Sequence, residues 1–185
     1  FITSTMSSTN SSKPEFFYRI GTLETPSTLT NVASPQAALM PPFHTDSLVN
    51  AAAIPAMDWS RLTPNAHPFL DEAFFTTLER HEAAGPACGW HPRHLVARGA
   101  DGDILGLAPS YVKTNSHGDF VRDWSWASAY QQLGKIYYPK LLTAVPHTPV
   151  SGTRLLVAAG EDPDAVSQCL IDAGKTLVKD NNFSS

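Results

Sequence analysis

The sequence has few cysteines, few charged residues and no long apolar run, and each absence narrows what the protein can be. Cys88 and Cys169 are its only cysteines, too few for the disulfide framework of a small secreted domain and without the C-x-x-C spacing of a redox or zinc site. No segment reaches the roughly 18 consecutive apolar residues that a membrane helix needs. We therefore expect reduced thiols and no membrane span.

Charge is scarce but not absent. Charged residues make up 16% and hydrophobic residues 42% of the 185 positions, a balance typical of a folded chain rather than a disordered one. The formal net charge of −4 gives no general attraction to a phosphate backbone, so we expect no DNA partner. The length allows one ordinary domain.

The N-terminal third is rich in Ser, Thr, Pro and Ala. It lacks the basic and apolar regions of a secretory signal, and Lys13 and Arg19 are too few basic residues for a mitochondrial presequence. We expect a flexible leader over residues 1–57, a folded domain over 58–185 and a cytoplasmic location, with organellar targeting by the leader left open. The prolines of this leader are spaced so that no long helix or paired strand is expected, and they are Pro26, Pro35, Pro41, Pro42 and Pro55.

The sequence of the expected domain predicts alternating helices and strands. A helix is expected from Pro68 to His81, with Leu70, Ala73, Phe74, Thr77 and Leu78 on its apolar face. The segments 94–98 and 103–108 predict a β-hairpin around a glycine-assisted turn. Together they indicate a mixed α/β domain.

The second half predicts two more helices and a strand. Residues 124–133 predict a short helix ended by Gly134, and residues 153–158 a strand buried on both faces. Asp162 and Pro163 are typical of the start of a final amphipathic helix. Because such a helix normally crosses over to another strand, we expect the sheet to be incomplete at its C-terminal end.

Aromatic and ionisable side chains crowd between residues 113 and 154, in the predicted connections between strands, where binding groups commonly lie. Asp119, Asp123 and His117 are candidates for accepting a proton from an attacking amine. Alternatively, Asp119 closes a turn and Asp123 caps the helix that follows. Lys113, Lys140 and Arg154 are candidates for clamping a phosphate or carboxylate, although isolated cations of this kind are often simply solvated.

A metal site is also conceivable from the spacing C-x2-H-x2-H of Cys88, His91 and His94. A fourth ligand is not evident, and Pro92 stiffens the segment. We therefore predict no metal site there.

Five segments carry a resemblance to a known family. They resemble the FemAB-like proteins, often described as peptidoglycan biosynthesis or recognition proteins, over roughly residues 58–185. The segments are Gly89–Pro92, Pro109–Lys113, Asp123–Ala127 with Tyr130, Tyr137–Leu141 and Thr148–Arg154.

The resemblance implies a GNAT-like acyltransferase fold, usually in a chain about twice this length, so we expect a missing C-terminal half and an inactive fragment. It implies acyl-CoA or aminoacyl-tRNA as the donor, although no acyl-CoA motif precedes Asp162 and no cofactor is evident. This sequence departs from the family pattern at Asn115, Asp119, Arg122 and His147.

Two functions follow. The first is an N-acyltransferase-related enzyme that transfers an acyl or aminoacyl group to an amine on a small-molecule, peptide or sugar acceptor, of which a cell-wall precursor is one example. The second is a non-catalytic recognition module for a sugar or peptide that uses the same aromatic pocket. The expected binding residues are Lys113, Trp124, Trp126, Tyr130, Tyr137, Tyr138, Lys140, Thr148 and Arg154.

Overall fold

The computed structural model describes residues 43–65 and 67–185. Within these ranges the four α-helices are α1 Ala56–Leu62, α2 Glu72–Arg80, α3 Trp124–Gln132 and α4 Pro163–Asp180. The strands are β1 His44–Leu48, β2 Trp90–Pro92, β3 His94–Arg98, β4 Ile104–Ala108, β5 Ser110–Lys113, β6 Lys140–Thr143 and β7 Leu156–Val157.

The strands form two sheets. The first has the order β1-β3-β4-β7 and the second the order β2-β5-β6. Every strand pairing in the described part of the chain is antiparallel. The predicted mixture of helices and strands is confirmed, and so is the predicted hairpin, formed by β3 and β4.

The first sheet is covered on both faces because its side chains alternate between two apolar clusters. Leu95 and Ala97 of β3 pack with Val166 and Leu170 of α4. Val96, between them in the sequence, packs on the opposite face in the cluster that also holds α1 and α2. This second cluster extends to β2 and β5 through Trp90 and Tyr111, so it connects the two sheets.

The predicted boundary between leader and domain at residue 57 is wrong. β1 pairs along its whole length with β3, and Ala51 and Ile54 are buried in the core. Pro41, Pro42 and Pro55 lie outside β1, so they do not prevent an edge strand at His44–Leu48. The polar sequence HTDSL of this strand gives no apolar pattern by which it could be predicted. Residues 1–42, where the rest of the predicted leader falls, lie outside the described residues.

The helix predicted from Pro68 to His81 is divided in two. Pro68–Leu70 form a 3₁₀ turn, and α2 begins after Asp71, whose side chain accepts a hydrogen bond from the Ala73 amide at 2.8 Å. Its buried residues are Phe75 and Thr76. Ala73 and Thr77 are exposed, so the predicted face is wrong by about one position.

The later elements follow the predictions more closely. α3 ends one residue before Leu133, and α4 begins after Asp162, whose side chain accepts hydrogen bonds from the Asp164 and Ala165 amides. The predicted strand over 153–158 is reduced to β7, with Leu156 in one apolar cluster and Val157 against the other.

Candidate functional site

A row of three side chains crosses the second sheet. Trp90 of β2 is the register partner of Lys113 on β5, and Lys113 is the partner of Lys140 on β6. Directly opposite residues share a face of the sheet, so the indole and the two ammonium groups lie side by side. Like charges in this arrangement are destabilising unless anions are placed beside them.

Asp119, from the loop between β5 and α3, supplies one of these anions. Its carboxylate lies 2.9 Å from Lys113 Nζ and accepts a hydrogen bond from Trp90 Nε1 at 2.9 Å. Lys113 Nζ also lies 3.9 Å from the centroid of the Trp90 ring, in a cation–π contact. Lys113 is only 1% exposed, so this ion pair is largely removed from water.

Asp123 supplies the second anion. Its carboxylate accepts hydrogen bonds from Lys140 Nζ, Tyr138 Oη and Tyr137 Oη, the last at 3.1 Å. Lys140 Nζ donates in addition to Tyr137 Oη at 2.9 Å. Asp123 occupies the N-cap position of α3 but makes no capping hydrogen bond with its side chain, so the helix-capping role considered for it is wrong.

The ion pairs shift the ionisation of these groups. Burial opposes the charge on Asp123, but hydrogen bonds from Lys140 and Tyr138 outweigh it and hold the pKa of this carboxyl well below its usual range. Burial and the hydrogen bond to Asp123 raise the pKa of Tyr138 to about 12. At neutral pH, Asp123 is therefore ionised and Tyr138 is a hydrogen-bond donor.

The two lysines shift in opposite directions. Burial lowers the pKa of Lys113 by more than its hydrogen bond to Asp119 restores. For Lys140 the hydrogen bonds to Asp123 and Tyr137 outweigh burial and raise the pKa. Lys140 is thus the more firmly charged of the two.

These groups form the floor of a cavity of about 450 Å³. Its rim comes from the loop before α3 and from α3 itself, where Trp126 is 64% exposed. The lining residues are Trp90, Lys113, Asp119, Phe120, Val121, Arg122, Asp123, Trp126, Tyr137, Lys140, Leu142, Ala144, Val145, His147 and Thr148.

The cavity therefore brings together most of the residues that the sequence predicted for the site. Two more lie outside the lining but contact residues of it: Tyr138 donates a hydrogen bond to Asp123, and Tyr130 packs on the Tyr137 ring at 5.0 Å. Trp124 and His117 lie outside the lining and contact each other, with ring centroids 6.4 Å apart. The predicted residues that line the cavity are Lys113, Asp119, Asp123, Trp126, Tyr137, Lys140 and Thr148.

Arg154 is not brought to this cavity. It borders a larger groove of about 660 Å³ beside α1 and the start of α4. Its guanidinium group donates to the backbone carbonyls of Val150, Gly152 and Thr153, so it closes its own loop. The smaller cavity is the better candidate site because it, and not the larger groove, holds the paired charges.

Sequence reasoning missed Trp90 and His147 as members of the site. Trp90 belongs to a predicted segment, but its contact with Lys113 depends on the pairing of β2 with β5, which its three residues do not reveal. His147 packs on the Trp90 ring at 5.1 Å, and its Nδ1 lies 4.0 Å from Asp119. Its positive φ of 57° is a signal that only the folded backbone provides.

His94, considered as a metal ligand, has both ring nitrogens occupied by protein groups. Nδ1 accepts a hydrogen bond from the Ser110 amide at 3.2 Å, and Nε2 lies 2.8 Å from the Glu79 carboxylate. Tyr111 also donates to Glu79, at 2.8 Å. His94 therefore belongs to a buried polar cluster that packs α2 against both sheets.

Comparison with known proteins assigns the chain to a family. The family model for FemAB-like proteins, described as peptidoglycan biosynthesis/recognition, matches residues 50–185, and the chain belongs to this family. No curated protein and no solved structure matches the chain. The family description indicates a role connected with peptidoglycan. In the described residues no helix is long and apolar enough to cross a bilayer.

Proposed function

We propose that the protein is an N-acyltransferase that transfers an acyl or aminoacyl group to an amine acceptor related to a cell-wall precursor. The observation that carries the proposal is the paired row of Lys113 and Lys140 with Asp119 and Asp123 on the floor of an aromatic-rimmed cavity. The family's connection with peptidoglycan supports the nature of the acceptor. The helices and antiparallel sheets of this chain fit the GNAT-like fold that the resemblance implies.

Lys140 is suited to stabilise negative charge on a reacting carbonyl oxygen. Two of its three protons have acceptors among the described residues, in Asp123 and Tyr137, and the third is available to a bound ligand. Asp123 keeps the ammonium group charged and fixes its position before the substrate arrives. A donor held in place in this way provides the preorganised stabilisation that acyl transfer requires.

The proposed reaction joins an amine to the carbonyl carbon of a thioester or ester, with acyl-CoA or aminoacyl-tRNA as the donor. The cavity volume of about 450 Å³ suits the acyl group and the amine end of an acceptor, while the rest of both substrates extends over the rim. Both donors are cytoplasmic, which fits the cytoplasmic location expected for the protein.

The test is transfer by the full protein from acetyl-CoA or from aminoacyl-tRNA to a muropeptide with a free side-chain amine. We expect amide formation by the wild type. Lys140→Met should lower kcat by about 10²-fold or more, because the oxyanion loses a charged hydrogen-bond donor. Lys175→Met removes an exposed lysine of α4 and is the matched control with unchanged kcat.

A sugar or peptide recognition module is the second candidate, favoured by the exposed aromatic rings beside the cavity. Trp124 is 50% and Trp126 64% exposed, and such faces stack on sugar rings. The same assay separates the two functions. Muropeptide binding without amide formation, weakened by Trp126→Ala, would favour recognition, and absence of both binding and transfer would contradict both candidates.

A further inference from the structure

His147 lines the cavity with one ring nitrogen committed to the protein and the other on the side of Asp119. Nε2 lies 2.7 Å from the backbone carbonyl oxygen of Ala83. A carbonyl oxygen can only accept a hydrogen bond, so Nε2 carries a proton. In the neutral ring Nδ1 therefore carries the lone pair, and it lies on the side of Asp119, 4.0 Å from the carboxylate.

The backbone of His147 is in the left-handed region, with φ 57°. Few residues with a Cβ adopt this conformation, and those that do are concentrated at functional sites. Here the ring packs on Trp90 at 5.1 Å and is anchored by Ala83. The side chain is still 32% exposed and lines the cavity, so a ligand has access to it.

We propose that His147 is the general base of the transfer reaction, an inference that rests on the proposed function. The acceptor binds as a free amine beside Nδ1. As its nitrogen forms the bond to the donor carbonyl carbon, one N–H proton passes to Nδ1, and the carbonyl π electrons move to the oxygen beside Lys140. The C–S or C–O bond then breaks, and the imidazolium returns the proton to the leaving sulfur or oxygen.

Two facing charges support this role. The Asp119 carboxylate lies 4.0 Å from Nδ1, and it is itself held by Lys113 and Trp90. Lys113 lies on Trp90, the ring against which His147 packs. The pair of Asp119 and Lys113 thus places the negative charge, rather than the positive one, towards Nδ1.

The test compares three variants in steady-state transfer with the donor that the wild type uses. His147→Asn tolerates the left-handed backbone and has no basic nitrogen, although its shorter side chain does not reach Ala83. His147→Gly accepts positive φ at no cost and leaves room for free imidazole. His81→Asn, at the exposed end of α2, is the matched control.

We expect His147→Asn to lower kcat by about 10² to 10⁴, with KM within about threefold of wild type, because proton transfer and not binding is lost. His147→Gly should regain activity in proportion to added imidazole, and His81→Asn should match the wild type.

A wild-type kcat in His147→Asn would overturn the role of His147 as general base, as would a His147→Gly variant that imidazole does not activate. If His147→Asn fails to fold, the imidazole response of His147→Gly decides. Absence of transfer by the wild type would instead overturn the proposed function, and the base with it.

Discussion

Single residues determine whether the row of lysines is tolerated. Lys113 is 1% exposed, and its partner Asp119 has a side chain that is 10% exposed. Replacing one member of a buried pair leaves the other as an uncompensated charge, which costs more than the pair itself contributes. The site therefore depends on both charges being present together.

Asp119→Asn should lower the free energy of unfolding by about 3 kcal/mol or more, because the buried Lys113 then loses its charged partner. The double variant Lys113→Met with Asp119→Asn should recover much of this loss, since it removes both charges. Denaturation in urea measures the two values.

The matched control is Asp172→Asn, which breaks the pair of Asp172 and Lys175 on the surface of α4. Exposed pairs contribute little to stability, so this variant should be close to wild type. Equal losses in Asp119→Asn and Asp172→Asn would contradict the buried pair.

Because of Asp123, the stability of the protein should change with pH in the acidic range. Its pKa in the folded protein is held below the unfolded value of about 3.9, so its contribution is present above that pH and is lost as the pH falls through the folded pKa. The stability difference between wild type and Asp123→Asn should be constant above about pH 5 and shrink towards about pH 2. Urea denaturation at a series of pH values measures it, and a difference that does not change with pH would show that the carboxylate is not held in this way.

At the scale of the elements, two glycines lie where α4 packs on the first sheet, and they differ in the space available for a side chain. A Cβ on Gly106 of β4 would lie 2.4 Å from Val166 Cγ1 and 3.2 Å from Leu170 Cδ1. A Cβ on Gly174 of α4 would lie 3.4 Å from Leu95 Cδ1, at an ordinary contact distance. Of these two positions, only Gly106 leaves no space for a methyl group.

Gly106→Ala should destabilise the protein by about 1 to 3 kcal/mol, because the helix or the strand must move to admit the methyl group. Gly174→Ala should be neutral or stabilise it by up to about 1 kcal/mol, since alanine is the better residue inside a helix. Thermal unfolding of both variants measures the signs. A loss in Gly174→Ala as large as that in Gly106→Ala would show that the helix is packed differently.

The elements also show how far sequence patterns extend. α4 was predictable because its cap, its first-turn proline and its apolar spacing all agree. α2 was predictable as a helix but not in its orientation, because its buried face includes Thr76 and the carboxylate of Glu79. A polar residue that is buried through partners distant in sequence does not appear in an apolar pattern.

In the whole molecule, Glu79 connects parts that lie far apart in the chain. Its carboxylate, with a side chain 8% exposed, binds His94 of the first sheet and Tyr111 of the second. It also accepts a hydrogen bond from the Ala51 amide at 2.6 Å. These hydrogen bonds outweigh burial and lower the pKa of Glu79, so it is charged at neutral pH.

Glu79→Gln should lower the free energy of unfolding by about 1 to 3 kcal/mol, because an amide has one accepting oxygen and its NH₂ group would face one of the three donors. Tyr111→Phe removes only one donor and should cost less, about 1 kcal/mol. Urea denaturation measures both, and an unchanged m-value shows that the variants remain two-state. A Glu79→Gln variant as stable as the wild type would contradict the role of Glu79 in joining the two sheets.

Local patterns and motifs in the sequence were enough to predict the hairpin over residues 94–108, helices α3 and α4, the family resemblance and seven of the residues that line the cavity. The tertiary structure alone decided where the domain begins, that Arg154 lies apart, and that Trp90 and His147 join the site. Strand register and the loop between β5 and α3 bring these groups together, and such contacts between distant segments leave no periodic signal in the chain.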